Sequence, residues 1–301
     1  MVTVRSRDEL DQRLARIVSR FSGELSIAAK NLKTGEEILI DADSLLPTAS
    51  SIKLSILVEL YAQVAEGSVT LDERIELQSS DQVGGSGILK EFGAGLQPSV
   101  YDLATVMIVL SDNTATNMLI DRLGGTEVIN DRIQGEYGLA SIALHNRIDF
   151  EKIGSDVRRL AEATPADLMR LMEKMIRGEF VSRQASDEML AILKRQQYLD
   201  QVPRYLNFSP YARELQLEQD INVHCKTGFF PGTRVDAGAI YLPDDVSIAY
   251  GVVAHESRDL SIAPESEAAI INGLVGREIV AYWWPRADHA SAVFDSAYAE
   301  L

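Results

Sequence analysis

The chain has 301 residues and a formal net charge of −16, and 46% of its residues are hydrophobic. This length and composition predict a folded globular protein with a large buried core. The acidic balance argues against nucleic acid and anionic membranes as partners, because both repel a negatively charged surface. A single cysteine excludes an intrachain disulfide. No apolar run reaches the roughly 18 residues that a membrane-spanning helix needs.

Residues 1–22 form a charged amphipathic segment without the apolar stretch of a signal peptide. The sequence as given therefore predicts a cytoplasmic location, or a periplasmic or secreted one if the N-terminus was trimmed. We expect no membrane partner, and we favour a monomer while leaving the oligomeric state open.

The first elements are a helix and a hairpin. Apolar residues recur at helical spacing over 7–21, and residues 25–32 and 37–40 have strand character on either side of a Lys-Thr-Gly turn. The pattern from 50 to 206 is mostly helical, with the clearest segments at 58–65, 100–123, 165–176 and 187–193.

The second half returns to strands. A three-strand meander is predicted at 222–228, 234–242 and 247–255, followed by a helix at 264–282 and a partly helical tail at 283–301. This order predicts an α+β fold, in which one antiparallel sheet carries the terminal helices and an all-helical lobe is inserted between strands. The sheet lobe would comprise 1–49 and 207–301 and the helical lobe 50–206, acting as one domain with the active site between them.

Ser50 and Lys53 form the only Ser-x-x-Lys pattern in the chain, at the start of a predicted buried helix. One helical turn brings a hydroxyl and an amine together, and a desolvated lysine can activate a serine as a nucleophile. The alternative is a capping serine and a lysine that extends to solvent. The pattern alone does not decide between them.

Two downstream triplets bear on that choice. Ser-Asp-Asn at 111–113 ends an apolar run, where a simple turn or helix cap is the alternative to a catalytic role. Lys-Thr-Gly at 226–228 lies within a predicted strand, where the alternative is a solvated face with a bulge. In a functional role, Lys226 and Thr227 offer a cation and a hydroxyl to a substrate carboxylate, and Gly228 keeps the strand open to a ligand.

Ser-x-x-Lys on a helix, Ser-Asp-Asn in a helical lobe and Lys-Thr-Gly on a strand, in this order, are typical of class A β-lactamases and penicillin-binding proteins. The sequence resembles that superfamily, and class A β-lactamase-like proteins most closely, over residues 24–282. The similar segments are 47–54, 107–117, 123–125, 164–168, 193–203 and 234–238.

The resemblance implies roles for individual residues. Ser50 would attack an amide or ester carbonyl and form an acyl-enzyme, activated by Lys53 or by a glutamate-bound water. Ser111 would bridge Lys53 and Lys226 and pass a proton to the leaving nitrogen.

The substrate contacts also follow from the resemblance. Backbone N–H groups of Ser50 and Phe229 would form the oxyanion hole. The remaining substrate-binding residues would be Asn113 for the side-chain amide, Lys226 and Thr227 for the carboxylate, Gly228 beside them, and Arg234 as a further carboxylate contact.

The chain departs from the class A pattern in the loop that positions the water for release of the acyl group. Residues 146–165 contain no Glu-x-x-x-Asn, although Glu151 or Asp149 could act as the base. Glu151 could equally be a solvated loop carboxylate. Acylation is therefore better supported than turnover.

We predict no metal and no cofactor. The four histidines, at 145, 224, 255 and 289, lack ligand spacing. Cys225 alternates to the strand face opposite Lys226, which indicates core packing. The Gly-Gly-Ser-Gly stretch at 84–87 lacks the remainder of a phosphate-binding loop and predicts a turn on the rim of the site.

The leading hypothesis is a serine hydrolase that opens a β-lactam or a related small amide or ester through Ser50. A D-Ala-D-Ala peptidase or esterase on the same machinery is one alternative. A penicillin-binding or sensor domain without turnover is the other.

Overall fold

The computed structural model describes residues 6–212 and 214–285 and has the α+β architecture that the sequence predicts. Five antiparallel strands form the main sheet in the order β2-β1-β8-β7-β6. They are β1 (Glu24–Asn31), β2 (Glu37–Ile40), β6 (Asn222–Phe230), β7 (Thr233–Leu242) and β8 (Val246–His255). A small second sheet, which the sequence analysis did not predict, consists of β3 (Leu46–Pro47), β5 (Ala161–Ala163) and β4 (Ala143–Leu144).

Two hydrophobic cores lie on opposite faces of the main sheet. One packs the sheet against α1 (Arg7–Arg20) and α9 (Glu267–Trp283). The other packs the sheet against the helical lobe. The helices of that lobe are α2 (Lys53–Ala65), α3 (Val100–Val109), α4 (Asn113–Arg122), α5 (Thr126–Asn130), α6 (Phe150–Ile153), α7 (Pro165–Arg177) and α8 (Arg183–Leu193). Within the described ranges, none of the helices is long and apolar enough to cross a membrane.

Local chemistry explains where the main helices begin and end. Thr164 caps α7 by accepting a hydrogen bond from the Asp167 N–H, proline occupies the first turn, and Gly178 ends the helix in the left-handed conformation. At α3, Ser99 and Asp102 form a reciprocal capping box. These signals lie within a few residues of one another in the sequence, so α7 starts at the residue predicted.

The single helical segment predicted at 100–123 was wrong, because the chain forms two helices there. Helix α3 ends at Val109, and Ser111 takes a positive φ of 53° that interrupts the helix. Asp112 then caps α4, its carboxylate accepting from the Ala115 N–H. The break turns the Ser-Asp-Asn triplet inward. Of the tail predicted at 283–301, residues 286–301 lie outside the described part of the chain.

Strand β6 packs tightly against the turn that carries Ser50. A Cβ atom at Gly228 would lie 2.6 Å from the Thr48 carbonyl oxygen and 2.8 Å from the Ser50 nitrogen. The Ser51 hydroxyl also donates to the Lys226 carbonyl across the same contact, at 3.1 Å. Gly228 is therefore needed for the approach of two backbone segments as well as for access to the strand.

We expect Gly228→Ala to destabilise the fold by about 1–3 kcal/mol, because the added methyl group forces β6 away from the Ser50 turn. Denaturant unfolding measures the loss. Gly135→Ala is the matched control, since a Cβ there meets no atom within 4 Å and φ is not positive. Equal stability of the two variants would contradict this account of the contact.

Candidate active site

Ser50 lies on a 3₁₀ turn, Ala49–Ile52, that leads directly into α2. The preceding Ala49 has a positive φ of 44°, a conformation that costs a non-glycine residue about 1–3 kcal/mol. Ser50 is partly exposed, while Ser51, Ile52 and Lys53 are buried. The strained turn thus presents one hydroxyl to solvent at the N-terminal end of an otherwise buried helix.

Lys53 is fully buried, and its amine is held by the Ser-Asp-Asn triplet. The Nζ atom lies 2.7 Å from the Ser111 carbonyl oxygen, 3.1 Å from Ser111 Oγ and 3.0 Å from Asn113 Oδ1. Because Ser111 is in the left-handed conformation, both its carbonyl and its hydroxyl face the lysine. The solvated-lysine alternative is therefore excluded at this position.

Lys226 is the second fully buried lysine, and it reaches the same hydroxyl from strand β6. Its Nζ atom lies 3.1 Å from Ser111 Oγ and also donates to the Thr227 carbonyl. The structure therefore brings Lys53, Ser111 and Lys226 together in one Lys–Ser–Lys chain, although 58 and 115 positions separate the serine from the two lysines.

Burial lowers the pKa of both lysines, because it removes water from the charged form. The pKa of Lys53 falls well below its ordinary value, chiefly through burial and further through the nearby positive charge of Lys226. Burial lowers the pKa of Lys226 to about 7. The lowered pKa favours the neutral, proton-accepting form of Lys53, while the Lys226 ammonium can donate to the same Ser111 oxygen. The chain is suited to moving a proton.

The Gly-Gly-Ser-Gly stretch at 84–87 forms one edge of the site, as a turn. Ser86 Oγ donates to the Ser111 carbonyl at 2.7 Å and to Asn113 Oδ1 at 3.2 Å. The Asn113 amide in turn donates to the Gly84 carbonyl at 3.0 Å. Asp112 holds the end of this stretch, because its carboxylate accepts from the backbone N–H groups of Ile88 and Leu89.

Ser86 and Asp112 are site residues that the sequence analysis missed. The only local signals were the glycines that flank Ser86 and the helix-capping chemistry of Asp112. Neither signal identifies the tertiary partner.

The two remaining side chains predicted to bind a carboxylate lie away from the pocket surface. Thr227 pairs with Asp236 in the β6–β7 register, and its buried hydroxyl has no hydrogen-bond partner within the described residues. The Arg234 guanidinium donates to the carbonyls of Phe230, Thr233 and Ser261. In this arrangement Arg234 ties the β6–β7 turn to a neighbouring loop.

The two backbone groups predicted to form the oxyanion hole lie next to each other. The Ser50 nitrogen is close to the Gly228 Cα, since a Cβ built on Gly228 would be 2.8 Å from it. Phe229 follows, with its ring edge-on to Tyr198 and beneath the Arg234 guanidinium, at centroid distances of 5.9 Å in each case. These contacts hold the end of β6 beside the Ser50 turn.

A pocket of about 310 Å³ opens at Ser50. Its walls come from the Ser50 turn, the 84–87 turn, the end of β6 and the loop between β4 and β5. The lining residues are Ala49, Ser50, Gly85, Ser86, Asn113, Ile148, Phe150, Ile153, Val157, Leu160, Phe229, Phe230, Pro231 and Ile262. Among them there is no Asp, Glu, His or Lys.

The structure does not bring Glu151 to the pocket. Its side chain is exposed on α6, and Asp149 caps that helix by accepting from the Glu151 and Lys152 N–H groups. Five apolar residues of this loop line the pocket instead, and Ile148, 5% exposed, is the first of them in the chain. Asn117 fixes it, because both ends of the Asn117 amide bond the Ile148 backbone at 2.8 Å.

Within residues 6–212 and 214–285, no group of three or more His, Cys, Asp or Glu side chains converges in a way that could hold a metal ion. Cys225 is fully buried in the core between the sheet and the terminal helices, where it was predicted to pack. Burial also raises the pKa of its thiol well above the ordinary value.

The fold and this chain of side chains define a member of the serine β-lactamase and penicillin-binding protein superfamily. A sequence model described as "Beta-lactamase enzyme family" matches residues 9–283. This protein therefore belongs to the β-lactamase enzyme family.

Individual relatives agree with that assignment. The chain is 26% identical over 183 residues to the β-lactamase BRO-1 of Moraxella catarrhalis, and the alignment spans 58% of the length of each. It resembles the crystal structure of a β-lactamase from Sphaerobacter thermophilus DSM 20745, with 25% identity, a TM-score of 0.78 and coverage of 90% of this chain and 95% of that one. A mutant of PBP-A, in an acyl-enzyme complex with penicillin-G, is 28% identical with a TM-score of 0.77, covering 93% and 97%.

The pKa of Lys226 predicts a pH dependence with a definite sign. Because the pKa lies at about 7, the ammonium loses its charge as the pH rises through that value. We expect the second-order acylation rate constant of a β-lactam that carries a carboxylate to fall on that alkaline side, since Lys226 is the cation predicted to hold that carboxylate. Stopped-flow measurements from pH 5.5 to pH 9 would show the decline.

A neutral ester without a carboxylate is the matched probe, and its rate constant should decline less, because it loses only the proton supply of the Lys–Ser–Lys chain and no carboxylate contact. An identical decline with both substrates would assign it to the reacting groups instead of the carboxylate contact. The lowered pKa of Lys226 also affects stability. Between about pH 7 and the ordinary lysine pKa, the unfolded chain binds more protons at Lys226 than the folded chain does. The contribution of Lys226 to the free energy of unfolding therefore rises with pH across that interval.

Proposed function

We propose that this protein is a serine hydrolase that forms an acyl-enzyme at Ser50 with a β-lactam or a related small amide or ester. The observation that carries the proposal is the buried Lys53–Ser111–Lys226 chain next to a partly exposed serine on a strained turn. Membership of the β-lactamase enzyme family supports the same chemistry.

The reaction would proceed in two linked proton movements. Neutral Lys53, one turn after Ser50, takes the Ser50 proton as Oγ attacks the carbonyl carbon. The oxyanion forms beside the N–H groups of Ser50 and Phe229, each worth about 3 kcal/mol of barrier lowering. Ser111 gives its proton to the leaving nitrogen and regains one from Lys226 as the carbon–nitrogen bond breaks. The products are an ester on Ser50 and a free amine, with Lys53 left protonated and Lys226 neutral.

Release of the acyl group is a separate step, and the residues that line the pocket indicate that this step is slow. Hydrolysis of the ester requires a base that activates water on the open side of Ser50. The part of the pocket wall that comes from the β4–β5 loop consists of apolar residues, Ile148, Phe150, Ile153, Val157 and Leu160. A penicillin-binding protein with little turnover is therefore the second candidate function, favoured by this apolar wall.

Intact mass and absorbance followed together test both candidates. With benzylpenicillin we expect an adduct of the full penicillin mass that persists for minutes or longer, because ring opening retains both halves and no carboxylate activates water. With a chromogenic cephalosporin, the absorbance change should approach one equivalent and then slow markedly.

Ser50→Ala is the control and should give neither adduct nor colour. Steady turnover without an accumulating adduct would support an efficient β-lactamase and would show that another group positions the water. Absence of adduct, hydrolysis and ester cleavage in the native protein would contradict the nucleophile assignment.

The residues that line the pocket also predict which acyl side chain the site prefers. Eight of its lining residues are large and apolar: Ile148, Phe150, Ile153, Val157, Leu160, Phe229, Phe230 and Ile262. Burying an aromatic or branched side chain there is worth about 1.5–3 kcal/mol, and a charged group would lose its hydration without gaining a partner. The preferred substrate would carry an apolar acyl side chain.

Two penicillins that differ only in the side chain measure this preference. A phenylacetyl side chain should acylate the protein roughly 10- to 100-fold faster than the same side chain bearing an extra carboxylate, in line with the transfer free energy. Phe150→Ser should reduce the ratio. Phe92→Ser is the matched control, because Phe92 has a similar exposure of 47% against 43% but does not line the pocket.

A ratio near one in the native protein would contradict the proposed selectivity. Equal losses in the Phe150 and Phe92 variants would show that the preference does not arise from this pocket.

A further inference from the structure

Two buried amide side chains lie beneath the end of strand β6 and take no part in the steps above. Gln201 precedes the 3₁₀ turn Val202–Tyr205 and is 1% exposed. Asn272 lies in the middle of α9 and is fully buried. Most buried polar side-chain atoms have hydrogen-bond partners, so the contacts of these amides indicate what they hold in place.

The two amides form a chain that ends on the backbone of the active-site strand. Gln201 Nε2 donates to the Gly228 carbonyl oxygen at 3.1 Å. Asn272 Nδ2 donates to Gln201 Oε1 at 3.0 Å and to the Arg234 carbonyl at 3.3 Å. Since Gly228 and Arg234 lie on the paired strands β6 and β7, the chain connects α9 to both strands beside the Ser50 turn.

The Gly228 carbonyl and the Phe229 N–H belong to the same planar peptide unit. A hydrogen bond that holds one end of a rigid plane also restricts the direction of the other end. Gly228 has no side chain to restrain this peptide, and glycine is the residue with the greatest backbone freedom. The orientation of the Phe229 N–H therefore depends on what holds the Gly228 oxygen.

Two glycines of α9 allow the close packing that brings Asn272 to Gln201. A Cβ at Gly276 would lie 2.2 Å from the Val202 carbonyl oxygen, and one at Gly273 would lie 2.9 Å from Arg204 Cβ. These two glycines, which follow Asn272 in α9, let the segment after Gln201 pack closely against the helix next to the amide contact. A larger residue at either position would separate Gln201 from Asn272.

We propose that Gln201 and Asn272 are positioning residues that orient the Gly228–Phe229 peptide, so that its N–H points at the developing oxyanion. The assignment rests on the proposed acyl-enzyme chemistry at Ser50. Neither side chain touches substrate. Gln201 acts through the peptide and Asn272 acts through Gln201.

The test compares Gln201→Met with Gln196→Met. Methionine is close to glutamine in size and removes the amide donor. Gln196 is also a buried glutamine, 2% exposed, and it also donates to a β6 carbonyl, that of Cys225 at 3.3 Å. Both substitutions remove one buried hydrogen bond to the same strand, but only Gln201 contacts the oxyanion peptide.

With benzylpenicillin we expect Gln201→Met to slow the acylation step at saturating substrate by between about tenfold and a hundredfold, with little change in the concentration for half-saturation. The infrared band of the ester carbonyl in the acyl-enzyme should move to higher frequency, because a weaker hydrogen bond polarises the carbonyl less. Gln196→Met should lower thermal stability at least as much, because Gln196 also donates to the Ile108 carbonyl and accepts from the Gln197 and Tyr198 N–H groups, and it should leave the carbonyl band in place.

Asn272→Ala provides a second variant that keeps Gln201 but removes its support. Asn272→Ala should shift the same infrared band by a smaller amount. The double variant Gln201→Met with Asn272→Ala should acylate no more slowly than Gln201→Met alone, because both residues act through one peptide. If Gln201→Met fails to fold, the band in Asn272→Ala decides the question by itself.

An acyl-enzyme whose carbonyl band and acylation rate are unchanged in these variants would overturn the assignment while leaving the proposed function intact. Failure of the native protein to form any adduct would overturn both.

Discussion

The structure depends on one arrangement, the placing of two buried lysine amines on either side of a single serine hydroxyl. Removing an ammonium group from water costs several kcal/mol unless other groups solvate it. Here Ser111 contributes its carbonyl to Lys53 and its hydroxyl to both lysines. The start of α2, the break between α3 and α4, and the middle of β6 must all meet at this hydroxyl. The positions of the two lobes relative to each other are therefore tied to the chemistry of the site.

Each residue of the Ser-Asp-Asn triplet has a separate task in maintaining that meeting point. Ser111 bridges the lysines, and its left-handed backbone makes the bridge geometrically accessible. Asp112 caps α4 and holds the 88–89 backbone, while Asn113 contacts both Lys53 and the glycine-rich turn. A buried turn with a strained backbone conformation costs free energy of folding, and such conformations cluster at functional sites.

The open side of Ser50 has a different character from the buried side. Polar groups surround the proton-transfer chain, whereas the pocket wall from the β4–β5 loop is apolar and includes Ile148, whose backbone Asn117 fixes. In the proposed mechanism the buried side carries proton transfer during acylation, and the apolar wall offers no group that activates water for release. For this member of the β-lactamase enzyme family, the contrast between the two sides of Ser50 leads us to expect rapid acylation of Ser50 and slow release of the acyl group.

Sequence alone was sufficient for the elements whose signals are local. The capped start of α7, the alternation that buries Cys225, and the order of the three motifs all follow from residues close together in the chain. They determined the α+β class and identified Ser50, Lys53, Ser111 and Lys226. Tertiary structure decided what depends on distant contacts: the break at Ser111, the exposed position of Glu151, and the approach of Gln201 to Gly228 across 27 positions. Periodicity and capping report on neighbours in sequence, but the burial of a lysine or the direction of a peptide N–H is set by whichever segment packs against it.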